Sequence, residues 1–245
     1  MAVSERFPTA PAWYRPLLSV EDAVLYRLRN HLPTQAHLHG EDAPTANFTS
    51  NVRLGIPAAE RMVPGANASP YMMQHVSRYL WAMDICRGRD VVDLGCGDGY
   101  GTAMLSWVAR SAVGIDLNSD AITAASRKYP GVNYCVGDLT VADTIPATEV
   151  AVCFEVLEHI AEPGQVLEVI ATRVRRLLVS KPNPLAGGSH INPHHVNDWP
   201  LTTLKHRLRQ TGAREIKCHH QTLRGYRMRR RALPWDAFWL LDVRY

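Results

Sequence analysis

The sequence predicts an α/β fold, a doubly wound and mostly parallel sheet preceded by an N-terminal helical and loop extension. Three observations carry this reading. From residue 69 onward, short apolar runs alternate with segments of helical period, the β-α-β order that parallel strands require. A turn with glycines at alternate positions, Gly95, Gly97 and Gly99, joins the first of those runs to the first helix. Acidic residues then stand at the ends of the first three strands: Asp93, Asp116 and Asp138.

Residues 1–68 read as the extension. The first 18 are Pro-rich and extended, and Ser19 caps a helix over about 20–31. The stretch 32–68 holds Pro and Gly with little periodicity, the mark of a long loop that serves as a lid. The domain proper is expected over 69–245. Pro70 behind Ser69 starts a helix that Met72, Met73, Val76, Tyr79, Leu80 and Met83 carry to about residue 84. Strands follow at 91–94, 112–117, 132–136, 150–154 and 177–180. Helices fall at about 100–109, 119–129, 163–173 and 201–210, the last stopped by Gly212. Two final strands, at about 213–219 and 237–243, flank a basic loop.

Composition narrows the function classes. With 245 residues and 46% apolar content the chain can bury a substantial core, yet its longest apolar runs fall far short of the roughly 20 residues that span a bilayer. No apolar segment follows the N-terminal basic residues, so the expectation is a cytoplasmic protein with no membrane partner. The five cysteines, Cys86, Cys96, Cys135, Cys153 and Cys218, form no CxxC pair and read as reduced thiols. The net charge of +4 conceals a segment, 205–231, that carries +9 while the remainder carries −5. That segment reads first as a solvated helix face and loop, and second as a site for an anionic substrate or nucleic acid.

The chemistry concentrates at the strand ends. A glycine turn entering a helix brings a ligand close to backbone amides. A dinucleotide fingerprint would need glycine where Tyr100 stands, and a carboxylate at Asp93 disfavours a pyrophosphate while favouring a cationic ligand. Asp116 lies 21 residues after Gly95, where an acid can accept from both ribose hydroxyls. Asp138 is placed to accept from an exocyclic adenine amine, with Leu139 against the ring.

The segments VVDLGCGDGYG, GIDLN, VGDLT and CFEVLEHI resemble the corresponding motifs of class I S-adenosylmethionine-dependent methyltransferases, in the broad subgroup with an E-x-x-E-H run after strand four. The resemblance covers about residues 60–243. It implies a seven-stranded sheet whose last strand is inserted antiparallel, with S-adenosylmethionine bound across the strand ends. Carried over position by position, Asp93, Gly95, Cys96, Gly97 and Gly99 hold the methionine end, Asp116 and Leu117 the ribose side, and Asp138 and Leu139 the adenine. Glu155 lies beside the cofactor, and Arg61 and His75 close over the methionyl carboxylate. One departure is the turn before strand five: relatives carry Lys-Pro-Gly-Gly, whereas here 173–176 lead straight into the strand.

Methyl transfer to a hydroxyl needs a base near the sulfonium. Two residues qualify, His195 in the loop after strand five and His159 beyond Glu155, with His195 preferred. His194 and Trp199 on the same loop are the expected acceptor contacts. His190, His194, His195 and Asp198 also form a set of conceivable metal ligands, but a loop without helical spacing organises a cage poorly, and no metal is assigned. Trp81 and Trp239 read as core. The expected function is methylation of a hydroxyl or amine on a small molecule. The alternatives are a methyltransferase acting on RNA or another polyanion through 205–231, and a non-catalytic cofactor-binding protein. Oligomeric state is not legible.

Overall fold

The computed structural model describes residues 70–184, 194–222, 228–232 and 236–245. The extension with its helix and lid lies outside these residues, as do Arg61 and His190.

The chain opens on helix α1 (Pro70–Cys86) and continues through β1 (Asp90–Leu94), α2 (Tyr100–Ser106), β2 (Ser111–Asp116), α3 (Ser119–Lys128), β3 (Asn133–Val136) and β4 (Thr148–Phe154). Then come α4 (Pro163–Arg173), β5 (Val174–Pro182), α5 (Leu201–Gln210), β6 (Glu215–Thr222) and β7 (Asp236–Arg244). All seven strands form one sheet in the order β3-β2-β1-β4-β5-β7-β6. The first five pair in parallel, and β7 runs antiparallel between β5 and β6.

The central strands are apolar on both sides because helices cover both faces. Val91, Val150, Val152, Phe154 and Leu178 point toward α1 and α2. Their neighbours Val92, Leu94, Ala151, Cys153, Leu177 and Val179 point toward α4 and α5. Asn118 caps α3, its side chain accepting from the amides of Asp120 and Ala121. Gly212, at φ 93°, follows α5 in the left-handed region and ends it as expected.

Several element ends differ from the sequence expectation: β4 begins at Thr148 rather than 150, and β6 runs over Glu215–Thr222 rather than about 213–219. Helix α2 ends at Ser106 rather than about residue 109, its last carbonyls taken up by the amides of Trp107, Val108 and Ala109 in a closing turn. Strand β5 is nine residues long rather than four and begins at the residue after α4 ends. The missing Gly-Gly turn therefore removes the loop entirely. Trp239 is core as expected, while Trp81 is partly buried against Phe154 and His219.

The sheet order reverses between β1 and β4, and the carboxyl ends of those strands open a crevice where ligands of open α/β sheets bind. Among the described residues no helix is long and apolar enough to cross a membrane.

Candidate active site

The β1–α2 turn is a preformed cradle. Gly95, Gly97 and Gly99 have φ of 70°, 53° and 81°. A Cβ at Gly95 would collide with the Val156 side chain, so the turn after β4 lies against the glycine turn only because that position has no side chain. The Gly95 and Cys96 amides donate to the Ile115 carbonyl at 2.8 and 3.0 Å, tying the turn to β2. Asp116 adds a second tie, accepting from Gly97 N through Oδ2 at 2.8 Å and from Asn118 N through Oδ1 at 2.9 Å. Each of these oxygens keeps a lone pair for ribose hydroxyls.

Asp93 sits beneath the turn, 1% exposed, accepting from the hydroxyls of Thr102 at 2.7 Å and Tyr79 at 3.1 and 3.3 Å. Its carboxylate is thus spent inside the fold, and any influence on a ligand acts through space. Burial raises its pKa to about 7 against the lowering effect of those two donors. Between about pH 4 and 7 the folded chain therefore keeps a proton that the unfolded chain releases, and this contribution to stability is lost as pH rises through 7. The stability difference between wild type and Asp93→Asn, measured by denaturant unfolding, should shift by roughly 2 kcal/mol in favour of the variant from pH 5 to 8. A difference that stays flat with pH would contradict this assignment.

His75 of α1 stands at the same end of the site. Its Nδ1 bonds the Tyr100 hydroxyl, its ring packs edge-on to Tyr79 and Tyr100, and burial, followed by the Arg78 charge, lowers its pKa to about 3. It is a neutral donor at physiological pH.

At the end of β3, Asp138 is exposed and accepts from the amide and hydroxyl of Thr140 at 2.9 and 2.7 Å, contacts that lower its pKa. Leu139 is buried in the core beneath β3, whereas Leu117 beside Asp116 is 70% exposed. A large apolar side chain left uncovered next to a carboxylate suits a ring on a ribose. The cradle, Asp116 and Leu117 together fit the adenosine of an S-adenosylmethionine-type ligand.

Glu155 follows β4 at φ 57°, a left-handed conformation uncommon outside glycine. Its amide donates to Ser180 Oγ at 3.1 Å, the Ser180 hydroxyl donates back to Oε1 at 2.7 Å, and Arg78 of α1 pairs with Oε1 at 3.4 Å. Arg78, 2% exposed, also donates from Nε to Gln221 at 2.9 Å and lies 4.0 Å from the Phe238 ring. Sequence reasoning missed this arginine; its one signal is a charge at position 78, between the apolar residues Val76 and Tyr79.

Beyond Glu155, a short 3₁₀ turn (Leu157–His159) and the segment 194–198 bring together Glu158, His159 and His195, whose ligand atoms lie within 4.8 Å of one another. The two imidazoles meet edge to face at 5.1 Å. His159 Nδ1 donates to the His194 carbonyl at 3.2 Å, which fixes the proton there and leaves Nε2 as the basic nitrogen. Asn197 clamps the turn, its amide group donating to the carbonyls of Leu157 and Ile160 at 2.5 and 2.8 Å. Glu158 is fully buried and neither carboxylate oxygen has a hydrogen-bond partner; burial, then the Glu155 charge, pushes its pKa well above the usual range. By donor chemistry the trio could hold a divalent cation, a set that differs from the loop-only ligands considered in the sequence.

Trp199 packs against the α4–α5 side of the core with Arg207 5.7 Å over its ring. Several cations of the basic segment have internal partners. Arg209 donates to the carbonyls of Ala213 and Arg214, Lys217 pairs with Glu215, and Arg229 pairs with Asp236.

Comparison with known proteins agrees with this geometry. Residues 91–179 match a family model described as a methyltransferase domain. A probable S-adenosylmethionine-dependent methyltransferase of Mycobacterium tuberculosis is 29% identical over 177 residues, covering 69% of this chain and 64% of that protein. The chain thus spans just under two thirds of that relative's length. A ubiquinone biosynthesis O-methyltransferase of Paraburkholderia phymatum is 33% identical over 97 residues, covering 36% of this chain and 40% of that one. Among solved structures, magnesium protoporphyrin IX methyltransferase of Synechocystis with bound S-adenosylhomocysteine superposes with a TM-score of 0.54 at 20% identity, covering 72% of this chain and 83% of that one. A TehB-like methyltransferase of Corynebacterium glutamicum gives 0.55 at 19%, covering 74% and 89%.

Proposed function

We propose that this chain, which carries a class I S-adenosylmethionine-dependent methyltransferase domain, methylates a hydroxyl or amine of a small molecule in the cytoplasm. S-adenosylmethionine is the cofactor of the domain and supplies, when bound, an electrophilic methyl group. The observation that carries the reading is the histidine pair beyond β4, backed by a buried carboxylate.

In this reading Asp116 and the glycine turn hold the cofactor in place, with Leu117 and Asp138 on the adenine side and His75 at the methionine end, while Leu139, expected against the ring, packs into the core. Glu155 flanks the methionine end. His159, with its tautomer set by the His194 carbonyl, and His195 take up the proton that an acceptor hydroxyl releases as it is methylated. The catalytic gain comes from orientation and a well-placed base rather than covalent chemistry. The ubiquinone biosynthesis O-methyltransferases are compatible with a hydroxyl acceptor. The internal partners of the basic segment weaken the polyanion alternative, because cations already engaged offer less to phosphates.

The test is release of S-adenosylhomocysteine from labelled cofactor in the presence of phenols, sugars and amines, with unspecific RNA in a parallel arm at about physiological salt. Turnover is expected with low-molecular-weight acceptors alone. Turnover with RNA would instead support the polyanion reading.

A further inference from the structure

Two buried cations that the proposed reaction does not use, Lys181 and Arg78, bond to the segments that flank the acid–histidine cluster. Lys181 of β5 is 1% exposed, and its Nζ donates to the Asn197 carbonyl at 3.2 Å. Asn197 belongs to the segment that carries His195, and the amides of Val196 and Asn197 donate to the Glu158 carbonyl at 2.9 and 3.4 Å. The ammonium is therefore tethered to the same backbone that assembles the cluster. Arg78, on the other side, is committed to Glu155.

We propose that Lys181 is a built-in counter-cation, a specificity-determining residue that makes the Glu158–His159–His195 cluster reject divalent metal ions and work as a metal-free base. Three observations converge on this. Glu158 has two buried oxygens with no hydrogen-bond partner, an acid that burial favours in its neutral form and that carries charge only against a nearby cation. The charge within reach is already in the chain. Lys181 is buried with its Nζ 3.2 Å from the Asn197 carbonyl, on the segment whose amides bond the Glu158 carbonyl. Finally, Glu155, an acid at the start of the same turn, has its Oε1 engaged by Ser180 and Arg78. A divalent ion entering the trio would meet a fixed ammonium in a low-dielectric setting, where like charges repel far more strongly than in water. The cluster has the donors for a metal, but not the charge.

The inference rests on the proposed acceptor-side role of the cluster, and its test does not depend on finding the acceptor. Mn²⁺ binding to the full chain is followed by electron paramagnetic resonance for wild type, Lys181→Gln, Lys181→Arg and the double variant Lys181→Gln/Glu158→Gln. Glutamine keeps a donor for the Asn197 carbonyl and removes only the charge. S-adenosylhomocysteine binding by calorimetry reports that each variant is folded, and its absence in wild type would fault the cofactor assignment separately. Wild type and Lys181→Arg are expected to bind Mn²⁺ only in the millimolar range. Lys181→Gln should bind at least ten-fold tighter, and the added Glu158→Gln change should abolish the gain. Micromolar Mn²⁺ binding by wild type overturns the proposal outright, whichever variants fold. So does a Lys181→Gln protein that binds no better than wild type, or a gain that survives loss of the Glu158 carboxylate.

Discussion

Asp116→Ala is expected to weaken S-adenosylmethionine binding by one to two orders of magnitude, about 1.4–2.8 kcal/mol. Two losses combine. The carboxylate would no longer meet the ribose hydroxyls, and it would release the Gly97 amide and the Asn118 amide, which it now holds at 2.8 and 2.9 Å. Freeing Gly97 loosens the cradle itself, so cofactor affinity falls even where the ribose contact is weak. With the ribose as the proposed contact, adenosine and 5′-methylthioadenosine should lose affinity alongside the full cofactor. Asp116→Asn keeps an acceptor on one side and should fall between wild type and Ala. Calorimetry that finds Ala within about three-fold of wild type would remove Asp116 from the site.

The fold was legible because period and punctuation agree along the chain. The α4 boundaries, the Asn118 cap and the Gly212 stop follow from local chemistry that tertiary packing did not overrule. Strand β5 exceeded its expected length because Arg175 and Arg176 interrupt the apolar run, although Arg176 is held by a bidentate pair with Asp242 of β7. Long-range pairing supplied what local pattern could not.

The site was legible in part, for the same reason. Glycines and acids at strand ends stand out because each carries its own local signature. Arg78 and Lys181 do not: a cation in an apolar run reads as surface until the partner, 77 residues away for the Arg78–Glu155 pair, is folded against it. Glu158 was visible within the E-x-x-E-H run, but its burial and unpartnered oxygens depend on a loop that arrives almost 40 residues later. Asp93 shows the converse: the sequence places it correctly in the glycine turn's approach, while the hydroxyls that occupy its oxygens come from α1 and α2.

The largest expected effect is on turnover. His159→Ala and His195→Ala should each cut kcat by about 10²–10⁴ with a hydroxyl acceptor, leaving S-adenosylmethionine affinity nearly unchanged. The sequence alone favoured His195; the geometry gives His159 an equal claim, since its Nδ1 is anchored and the two rings meet at 5.1 Å. Groups that act as one unit are not additive, so the double variant should be no slower than the worse of the two singles. On the proposed assignment the cofactor is largely spared, because its adenosine is held from the β1–α2 turn and the ends of β2 and β3, whereas the pair stands beyond Glu155. Raising the pH should partly rescue the double variant, since an acceptor that ionises on its own no longer needs a base. Were one single variant mild, the other histidine would be the base and its neighbour a support. If both were mild with a hydroxyl acceptor, the pair would have no catalytic role and proton removal would fall to solvent.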